Sequence, residues 1–393
     1  MYIVHMYKRT ADIYIDSNQS FFLFGPRGTG KTTWLKQAFP EAVYLDLLES
    51  ELYTRLMASP GSLERFIPAD TGGWVIIDEV QRIPELLNEV HRLIENRKIR
   101  FVLTGSSARS LRKKGVNLLA GRALTRHLHP LTVEELGDDF SLQHSLQYGH
   151  LPYVSQTENK KDYLASYIQT YLREEVLQEG LTRSLSSFTR FLEVASFSQG
   201  SMVNASEIAR ETAVDRKTVE NYFQITEDLL NGLRLPPFTK RSRRRLITGN
   251  KFFFFDCGVF RAMRPLGPLD LPEEIAGAAL ETLVYQELRA LNDYYGLDAA
   301  IRYWRTSSGS EVDFVLYGEN IFVAIEVKRT RRLKGSDFSG LKLFKKDYPQ
   351  AKAFLVCGVD RREYADDIEV WPVAEFLKKL PSLLLPSQVV KNR

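Results

Sequence analysis

A glycine-rich segment near the start of the chain has the residue types that bind phosphate groups. Residues 25–32 read GPRGTGKT and match the pattern GxxxxGK[ST], between an apolar run and a helical pattern. Glycines let the backbone curl so that several N–H groups point at one anion, and the N-terminus of the following helix adds its positive end. The sequence therefore predicts an ATP site formed by Gly25, Pro26, Arg27, Gly28, Thr29, Gly30, Lys31, Thr32 and Thr33.

Individual side chains have distinct roles in this predicted site. Lys31 reaches the β- and γ-phosphates as a point charge, and the hydroxyl of Thr32 binds Mg²⁺. Downstream, the buried-strand pattern WVIID ends at Asp78, which we expect to hold the Mg²⁺ shell, and Glu79 follows it, placed to orient the attacking water. The alternative is that these two acids only cap a strand in solvent. ATP and Mg²⁺ are the predicted cofactors.

A further strand pattern, IRFVLTGSS, ends in small polar residues. We expect this strand to lie beside the one that carries Asp78, which makes Ser106 a candidate contact of the γ-phosphate. An equally direct interpretation is that the serines form an N-cap at a strand-to-helix turn.

A second group of chemically active side chains lies in the C-terminal third of the chain. Asp313 begins a strand after a Gly-Ser turn, and Glu326 and Lys328 lie two residues apart on the next strand, so their side chains share one face. Two carboxylates on adjacent strands make an oxygen-rich Mg²⁺ site, and a lysine beside them can position water and stabilise a phosphodiester transition state. The alternative is a surface ladder of ion pairs.

The middle of the chain has a pattern typical of DNA binding. The segment NASEIARETAVDRKTVENY predicts helix, turn and helix, with Arg216 and Lys217 facing outward from the second helix. Thr239–Phe255 then predicts a basic hairpin, the wing of a winged helix. A helix in the major groove and a wing on the phosphates would bind duplex DNA, whereas the alternative is a protein contact. The wing residues expected to contact DNA are Arg241, Arg243, Arg244 and Arg245.

These candidate sites require particular elements to position them. Strands alternate with helices in the N-terminal part, which predicts a parallel sheet covered on both faces. The middle is mostly helical, and a long helix followed by three sequential strands predicts a second mixed domain. The expected fold class is α/β. The expected domains are 1–135 (phosphate-binding), 136–200 (helical linker or lid), 201–260 (winged helix-turn-helix) and 270–393 (C-terminal α/β).

The composition is that of a globular protein with more than one core: 393 residues, 44% hydrophobic and 26% charged. The net charge of +4 barely favours nucleic acid by itself. Two cysteines, Cys257 and Cys357, both lie in apolar runs, as buried free thiols of a reducing compartment would. No apolar run is long enough to span a membrane, and no secretory signal is evident, so we expect a cytoplasmic protein.

Four segments resemble those of AAA-type ATPases: GPRGTGKTT, WVIIDEVQRIP, FVLTGSSA and LLAGRA. More narrowly, the chain resembles a large bacterial and archaeal ATPase family of incompletely defined function. In that family the ATPase domain is joined to a winged helix and a nuclease-like C-terminal domain. The resemblance implies an arginine supplied by a neighbouring subunit, for which Arg122 is the match, and hence a homo-oligomer. A structural surface role is the alternative for Arg122. The family's linker motif is degenerate at Gly149-His150-Leu151-Pro152.

The C-terminal carboxylates resemble the PD-(D/E)xK nuclease fold. The resemblance adds a helical glutamate ahead of the sheet, here Glu281, to Asp313, Glu326 and Lys328 as catalytic residues, with Asp313 and Glu326 as the metal ligands. The chain departs from the pattern because Val312 stands where the proline would be.

The predicted function is an ATP-dependent DNA-processing enzyme in which ATP binding controls a DNA-binding winged helix and a Mg²⁺-dependent nuclease. One rival hypothesis is an ATP-controlled switch or regulator that binds DNA or protein without cleaving. Another is a scaffold whose ATP site is vestigial, against which the complete loop and acidic pair argue.

Overall fold

The computed structural model describes residues 7–69, 71–105, 111, 119–172, 176, 184–240, 244–268 and 270–385. The chain forms two compact units. The first comprises Met1–Leu131 and Ile225–Asn231, and the second comprises Thr132–Gln224 and Gly232–Arg393. The predicted domains, 1–135, 136–200, 201–260 and 270–393, stay predictions.

The first unit is built on a parallel sheet of five strands in the order β2-β3-β4-β1-β5. All four residues of β1 are buried, as expected for a continuous apolar strand that is covered on both faces. The strands are β1 (Phe21–Phe24), β2 (Val43–Asp46), β3 (Trp74–Asp78), β4 (Arg100–Gly105) and β5 (Leu124–His127). The α-helices are α1 (Lys31–Ala38), α2 (Ser50–Ala58) and α3 (Leu86–Arg97).

The strand order places β4 between the strand that precedes the phosphate loop and the strand that ends at Asp78. Phe24 at the end of β1 lies opposite Gly105 of β4, and Ile77 of β3 lies opposite Leu103. Because all three strands are parallel, their carboxyl ends meet at one edge of the sheet. This edge brings together the phosphate loop, Asp78 and Thr104.

The second unit begins with short helices and continues with a helix-turn-helix. Its α-helices up to this point are α4 (Val133–Leu136), α5 (Leu142–Tyr148), α6 (Pro152–Gln156), α7 (Lys160–Ser166), α8 (Leu185–Ser196), α9 (Ala205–Thr212) and α10 (Arg216–Asp228). Ile208, Val219 and Tyr222 are buried and form the packed faces of α9 and α10. The carboxylate of Asp215 accepts a hydrogen bond from the backbone N–H of Thr218 (2.9 Å) and so caps α10.

The strand pair after the helix-turn-helix differs from the expected hairpin. It consists of β6 (Gly232–Leu235) and β7 (Lys251–Phe254), which run antiparallel. Between them, Pro237 forms a parallel bridge with Tyr303 of the next strand, β8 (Ala300–Arg305), and Leu246 forms an antiparallel bridge with Thr306, just after β8. The expected hairpin at Thr239–Phe255 is wrong in its bounds, because the partner of β7 is Gly232–Leu235, which precedes Thr239.

Strand β8 belongs to the C-terminal sheet, which has six strands in the order β12-β13-β11-β10-β9-β8. Strands β8, β9 and β10 are the three predicted sequential strands; they run antiparallel, and β11 and β13 continue parallel to β10. The further strands are β9 (Glu311–Tyr317), β10 (Phe322–Val327), β11 (Lys352–Cys357), β12 (Glu363–Ala365) and β13 (Ile368–Pro372). The helices are α11 (Cys257–Met263), α12 (Pro272–Tyr294), α13 (Ser339–Asp347) and α14 (Val373–Leu384). The expected α/β class, with an N-terminal parallel sheet and a C-terminal mixed sheet, is confirmed.

A buried polar network joins helices of the second unit. The carboxylate of Glu287 accepts the backbone N–H of Val133 at 3.0 and 3.1 Å and lies 3.5 Å from Nδ1 of His150. Nε2 of His150 lies 2.7 Å from the hydroxyl of Ser145. This order of serine, histidine and acid is that of a hydrolytic triad, but the Ser145 hydroxyl donates to the carbonyl of Ser141, and all three side chains are buried. The network is structural, because no substrate can reach it.

No helix among the described residues is long and apolar enough to cross a membrane.

The contact between α13 and β9 gives a stability prediction. A Cβ atom at Gly340 would lie 1.9 Å from the backbone oxygen of Glu311, so Gly340→Ala must push the helix away from the strand. We expect the free energy of unfolding in urea to fall by roughly 1–3 kcal/mol. Gly335→Ala is the matched control, since no atom lies within 4 Å of its added Cβ. Equal stability of the Gly340 variant and the wild type would contradict this packing.

Candidate nucleotide site and carboxylate cluster

The phosphate loop is shaped by its glycines. Gly28 and Gly30 have φ values of 81° and 88°, in the left-handed region that favours glycine. A Cβ atom at Gly25 would lie 2.3 Å from the backbone oxygen of Leu128, so only glycine fits there. The hydroxyl of Thr29 donates to the carbonyl of Pro26 at 2.8 Å and closes the turn. The predicted loop pattern thus corresponds to a real backbone requirement.

Two cations contact the loop. Lys31 begins α1, and its ammonium donates to the carbonyl oxygens of Gly25 (2.6 Å) and Pro26 (3.2 Å). The buried Arg9 donates to the carbonyl oxygens of Thr29 (2.8 Å) and His129 (2.6 Å), which ties the loop to the chain beyond β5. Sequence reasoning missed Arg9, because it lies outside any motif and reaches the loop only through the fold.

Asp78 accepts hydrogen bonds from three side chains of the site. Its Oδ2 accepts hydrogen bonds from the hydroxyl of Thr32 (2.9 Å) and from the phenol of Tyr44, and its Oδ1 accepts from Thr104. Asp78 is only 3% exposed, which contradicts the alternative of a strand capped by solvated acids. Burial and the hydrogen bond to Asp78 raise the pKa of Tyr44, so its phenol stays protonated and remains a donor. Neither Tyr44 nor its role was predicted.

Glu79 occupies the next position with an unusual backbone. Its φ is 61°, in the left-handed region, and its N–H donates to the hydroxyl of Thr104 at 3.2 Å. Its carboxylate accepts a hydrogen bond from the amide of Gln81. A non-glycine residue held in this conformation is typical of functional sites. The side chain is half-buried, so water can reach it.

The remaining predicted residues of this unit have different outcomes. Arg27 lies in the loop and Thr33 in the first turn of α1. Ser106 lies outside the described residues. Arg122 forms an ion pair with Glu95, and both side chains are partly exposed, at 38% and 46%. This pair corresponds to the structural alternative within one chain, and a role of Arg122 in a neighbouring subunit stays a prediction.

In the second unit, carboxylates from three elements converge on one another. We call this group the carboxylate cluster: Glu281 of α12, Glu311 and Asp313 of β9, and Glu326 of β10, with Lys328 and Lys251. Asp313 and Glu326 are each 5% exposed, which excludes the alternative of a surface ladder. Burial raises the pKa of Glu281 to about 8, and the charge of Asp313 adds to this effect. The cluster therefore holds a proton near neutral pH.

The predicted metal ligands have partners within the protein. Oδ2 of Asp313 accepts the backbone N–H of Val327 at 2.9 Å, and Oε1 of Glu326 lies 2.5 Å from the ammonium of Lys328. Oε2 of Glu326 is buried without a hydrogen-bond partner. Burial, followed by repulsion from Asp313, raises the pKa of Glu326 well above its ordinary value. Within the described ranges, no three or more His, Cys, Asp or Glu side chains are arranged to hold a metal ion.

Lys251 of β7 is the residue of this cluster that the sequence did not reveal. Its ammonium pairs with Glu311 and lies 3.4 Å from Oδ1 of Asp313, and its side chain is only 4% exposed. Burial alone would lower the pKa of Lys251, but attraction from Asp313 and the other acids outweighs it and holds the pKa above its ordinary value. Lys251 stands in the aromatic run KFFFF, which carries no catalytic pattern, so only the pairing of distant strands shows its place.

The residues predicted to contact DNA differ in exposure and in their contacts within the protein. Arg216 and Lys217 are exposed in the first turn of α10, as predicted. Nε of Arg244 lies 2.8 Å from Oδ2 of Asp347 on α13, and the carbonyl of Arg245 accepts the N–H of Ser307. Arg244 and Arg245 thus have contacts within the second unit, and a role of the wing residues in DNA binding stays a prediction. Arg241 and Arg243 lie outside the described residues.

The hydrogen bonds of Asp78 give a second prediction. Thr104→Val keeps the shape of the side chain but removes the donor to Asp78 and the acceptor for Glu79. We expect the free energy of unfolding to fall by about 1–3 kcal/mol and the affinity for Mg²⁺-ATP to fall with it. Denaturant unfolding and titration with a fluorescent ATP analogue measure the two effects. Thr125→Val, on the exposed side of β5, is the control; equal losses in both variants would remove Thr104 from the site.

Comparisons with known proteins bear on these regions separately. A family model of the AAA domain matches residues 17–137. Two domains of unknown function, DUF8612 and DUF4143, match residues 140–270 and 276–376. An uncharacterized protein of Mycobacterium tuberculosis is 26% identical over 326 residues, covering 78% of this chain and 70% of that protein. An uncharacterized protein of Methanocaldococcus jannaschii is 21% identical over 359 residues, covering 82% of this chain and 78% of that protein.

Solved structures are only distantly similar. NtrX from Brucella abortus, crystallised in complex with ATP, has a TM-score of 0.27 at 14% identity and covers 55% of this chain and 65% of that chain. A signal transduction ATPase with numerous domains from Pyrococcus horikoshii has a TM-score of 0.25 at 16% identity, covering 76% and 48% of the two chains. Likenesses this weak carry no functional argument. The family match and the geometry around Asp78 agree, however, and residues 17–137 form an AAA-type ATPase domain.

Proposed function

We propose that the chain is an ATP-hydrolysing DNA-processing protein, in which the ATPase domain drives a second unit that binds duplex DNA and cleaves it with a divalent metal. The observation that carries the proposal is that two separate acidic centres, around Asp78 and around Asp313, are both buried and both lined by the groups that phosphoryl chemistry needs. One centre suits a nucleotide and the other suits a phosphodiester.

The ATPase centre fits Mg²⁺ through its donor set. The Thr32 hydroxyl and the Asp78 carboxylate already share a hydrogen bond of 2.9 Å, and both are oxygen ligands of the kind that Mg²⁺ prefers. Bound Mg²⁺ would neutralise charge that develops on the phosphates. Lys31 binds the same phosphates, and Glu79 orients the attacking water from the end of β3.

DNA binding is assigned to the helix-turn-helix. Arg216 and Lys217 are exposed at the start of α10, where a recognition helix presents its residues to a groove. Their charges would replace counterions of the phosphate backbone. Duplex DNA is therefore the proposed partner, and α10 the proposed reading element.

Cleavage is assigned to the carboxylate cluster. Oε2 of Glu326 is a buried oxygen without a hydrogen-bond partner, so it could serve as a ligand of a divalent cation, and Asp313 lies on the neighbouring strand. A divalent metal held by Asp313 and Glu326 would supply an activated water. Lys328 is 38% exposed, so its ammonium can reach a phosphodiester while it holds Glu326.

A second candidate function is an ATP-controlled switch that binds DNA or protein without cleaving it. Lys251 favours this candidate, because an internal ammonium already neutralises Asp313 and Glu311. In both candidates we propose a homo-oligomer, in which Arg122 leaves Glu95 to complete the ATP site of a neighbouring subunit.

The ATPase residues are tested by two substitutions. Lys31→Ala removes the phosphate counter-charge, and nucleotide affinity should fall roughly ten- to a hundredfold. Glu79→Gln keeps the ligands Thr32 and Asp78, so it should bind ATP normally and hydrolyse it roughly a hundredfold more slowly. Equilibrium titration and phosphate release measure these effects. The exposed Glu41→Gln is the control, and a wild-type rate for Glu79→Gln would remove Glu79 from catalysis.

The DNA-processing proposal is tested with supercoiled, linear and branched DNA, with Mg²⁺ or Mn²⁺, and with and without ATP. Asp313→Asn should abolish cleavage and leave the ATPase rate intact, whereas the exposed Asp360→Asn should cleave like the wild type. Replacing Arg216 and Lys217 by Ala should weaken duplex binding and reduce its salt slope by roughly one unit per lost phosphate contact. Wild-type binding without cleavage under every condition would favour the switch.

A further inference from the structure

Lys251 reaches the carboxylate cluster from outside the C-terminal sheet. It lies on β7, which pairs with β6, and its backbone forms a bridge with Met202 just before the helix-turn-helix. Its ammonium nevertheless ends between Glu311 and Asp313 of β9. The strand pair that follows the helix-turn-helix thus delivers a positive charge to the centre of the proposed cleavage site.

The charges of the cluster fall into separate pairs. Lys328 neutralises Oε1 of Glu326 on β10. Lys251 neutralises Asp313 and Glu311 on β9, and Arg305 also lies 3.2 Å from the other carboxylate oxygen of Glu311. Each of the two strands therefore has its own internal cation.

A divalent cation at Asp313 would be repelled by the ammonium of Lys251, which lies beside the same carboxylate. Both oxygens of Asp313 have a donor: Oδ2 accepts the N–H of Val327 at 2.9 Å, and Oδ1 lies 3.4 Å from the ammonium of Lys251. A metal bound to this carboxylate would therefore lie within a few ångströms of that ammonium. Two positive charges a few ångströms apart repel by several kcal/mol at the dielectric of about 20 that suits protein sites. An ammonium and a divalent metal on the same carboxylate are thus strongly unfavourable together.

We propose that Lys251 is an internal competitor for the divalent metal at Asp313, so that the metal binds only when the ammonium leaves. This inference rests on the proposed function, in which Asp313 is a metal ligand. It also gives a reason for both candidate functions: with Lys251 in place the cluster is a structural core whose negative charge is partly neutralised, and with Lys251 withdrawn it is a metal site. Lys251 acts here through Asp313 and is a positioning residue.

The metal alone tests this assignment. Mn²⁺ is titrated by calorimetry into the nucleotide-free full chain, and the part of the binding lost in Asp313→Asn is assigned to the cluster. Lys251→Met removes the charge at similar length and should tighten this component by roughly tenfold or more. Lys251→Arg keeps the charge and should stay near the wild type. Lys342→Met, which removes one charge from an exposed pair with Asp366, is the matched control.

Thermal unfolding gives a readout that needs no cleavage. Without Lys251 the acids of the cluster lose their main counter-charge, so Lys251→Met should melt at a lower temperature than the wild type. Saturating Mn²⁺ should raise the melting temperature of this variant more than that of the wild type, and the excess should vanish when Asp313→Asn is added. An equal rise in both proteins would overturn the competition.

A measurement on the wild type covers the case in which Lys251→Met does not fold. The ammonium of Lys251 is buried and should resist reductive methylation in the absence of metal. Saturating Mn²⁺ should expose it, and mass spectrometry of the labelled peptide should show a several-fold rise in modification of Lys251 but not of Lys240. Labelling of Lys251 that is unaffected by Mn²⁺ would contradict displacement.

The outcomes separate this inference from the proposed function. Cluster-assigned Mn²⁺ binding that is equal in the wild type and Lys251→Met overturns the competition and leaves the metal site standing. Weaker binding in Lys251→Met makes the lysine a supporting group and also overturns it. Absence of Asp313-dependent binding in both proteins overturns the metal site, and the competition falls with it.

Discussion

A buried carboxylate needs hydrogen bonds in place of the water it has lost, and the ATPase domain is organised around one such group. Asp78 is held by three hydroxyls, from Thr32 of α1, Tyr44 of β2 and Thr104 of β4. Each donor lies on a different element, so the carboxylate fixes the ends of three elements relative to β3. The strand order serves this purpose, because β4 must lie beside β3 for Thr104 to reach both Asp78 and the backbone of Glu79.

In the second unit, ammonium groups rather than hydroxyls stabilise the buried carboxylates. Asp313 and Glu326 lie on adjacent strands, and both are buried. Hydroxyl donors would leave the net charge in place, whereas Lys251 and Lys328 cancel part of it. Burial and the charge of Asp313 also raise the pKa of Glu281, which favours the neutral form of this acid. The two centres thus differ in their donors: neutral hydroxyls hold Asp78, whereas charged ammonium groups hold Asp313 and Glu326.

Local patterns predicted much of this structure. The phosphate loop was predictable because its glycines meet backbone requirements that lie within a few residues of one another. The C-terminal strands were predictable because each is a continuous apolar run. Tyr44, Arg9 and Lys251 were not predictable, because each reaches its site through strand pairing or loop contacts between distant parts of the chain. The hairpin at Thr239–Phe255 was misplaced for a related reason. Nothing in the local sequence shows that Pro237 and Leu246 form bridges with Tyr303 and Thr306, or that β7 pairs with Gly232–Leu235.

The outer edge of β8 has a consequence of its own. A terminal strand with unpaired amides is a template on which a second chain can add a strand. Here the backbone N–H of Phe238 donates to the carbonyl of Tyr303 at 2.6 Å, and that of Ile247 to Arg305 at 3.0 Å, so the chain occupies its own edge. Pro236, Phe238 and Ile247 therefore cover part of the β8 edge, where a strand of a second chain would otherwise pair. Detachment of these residues would leave backbone groups of β8 unpaired and available to such a strand.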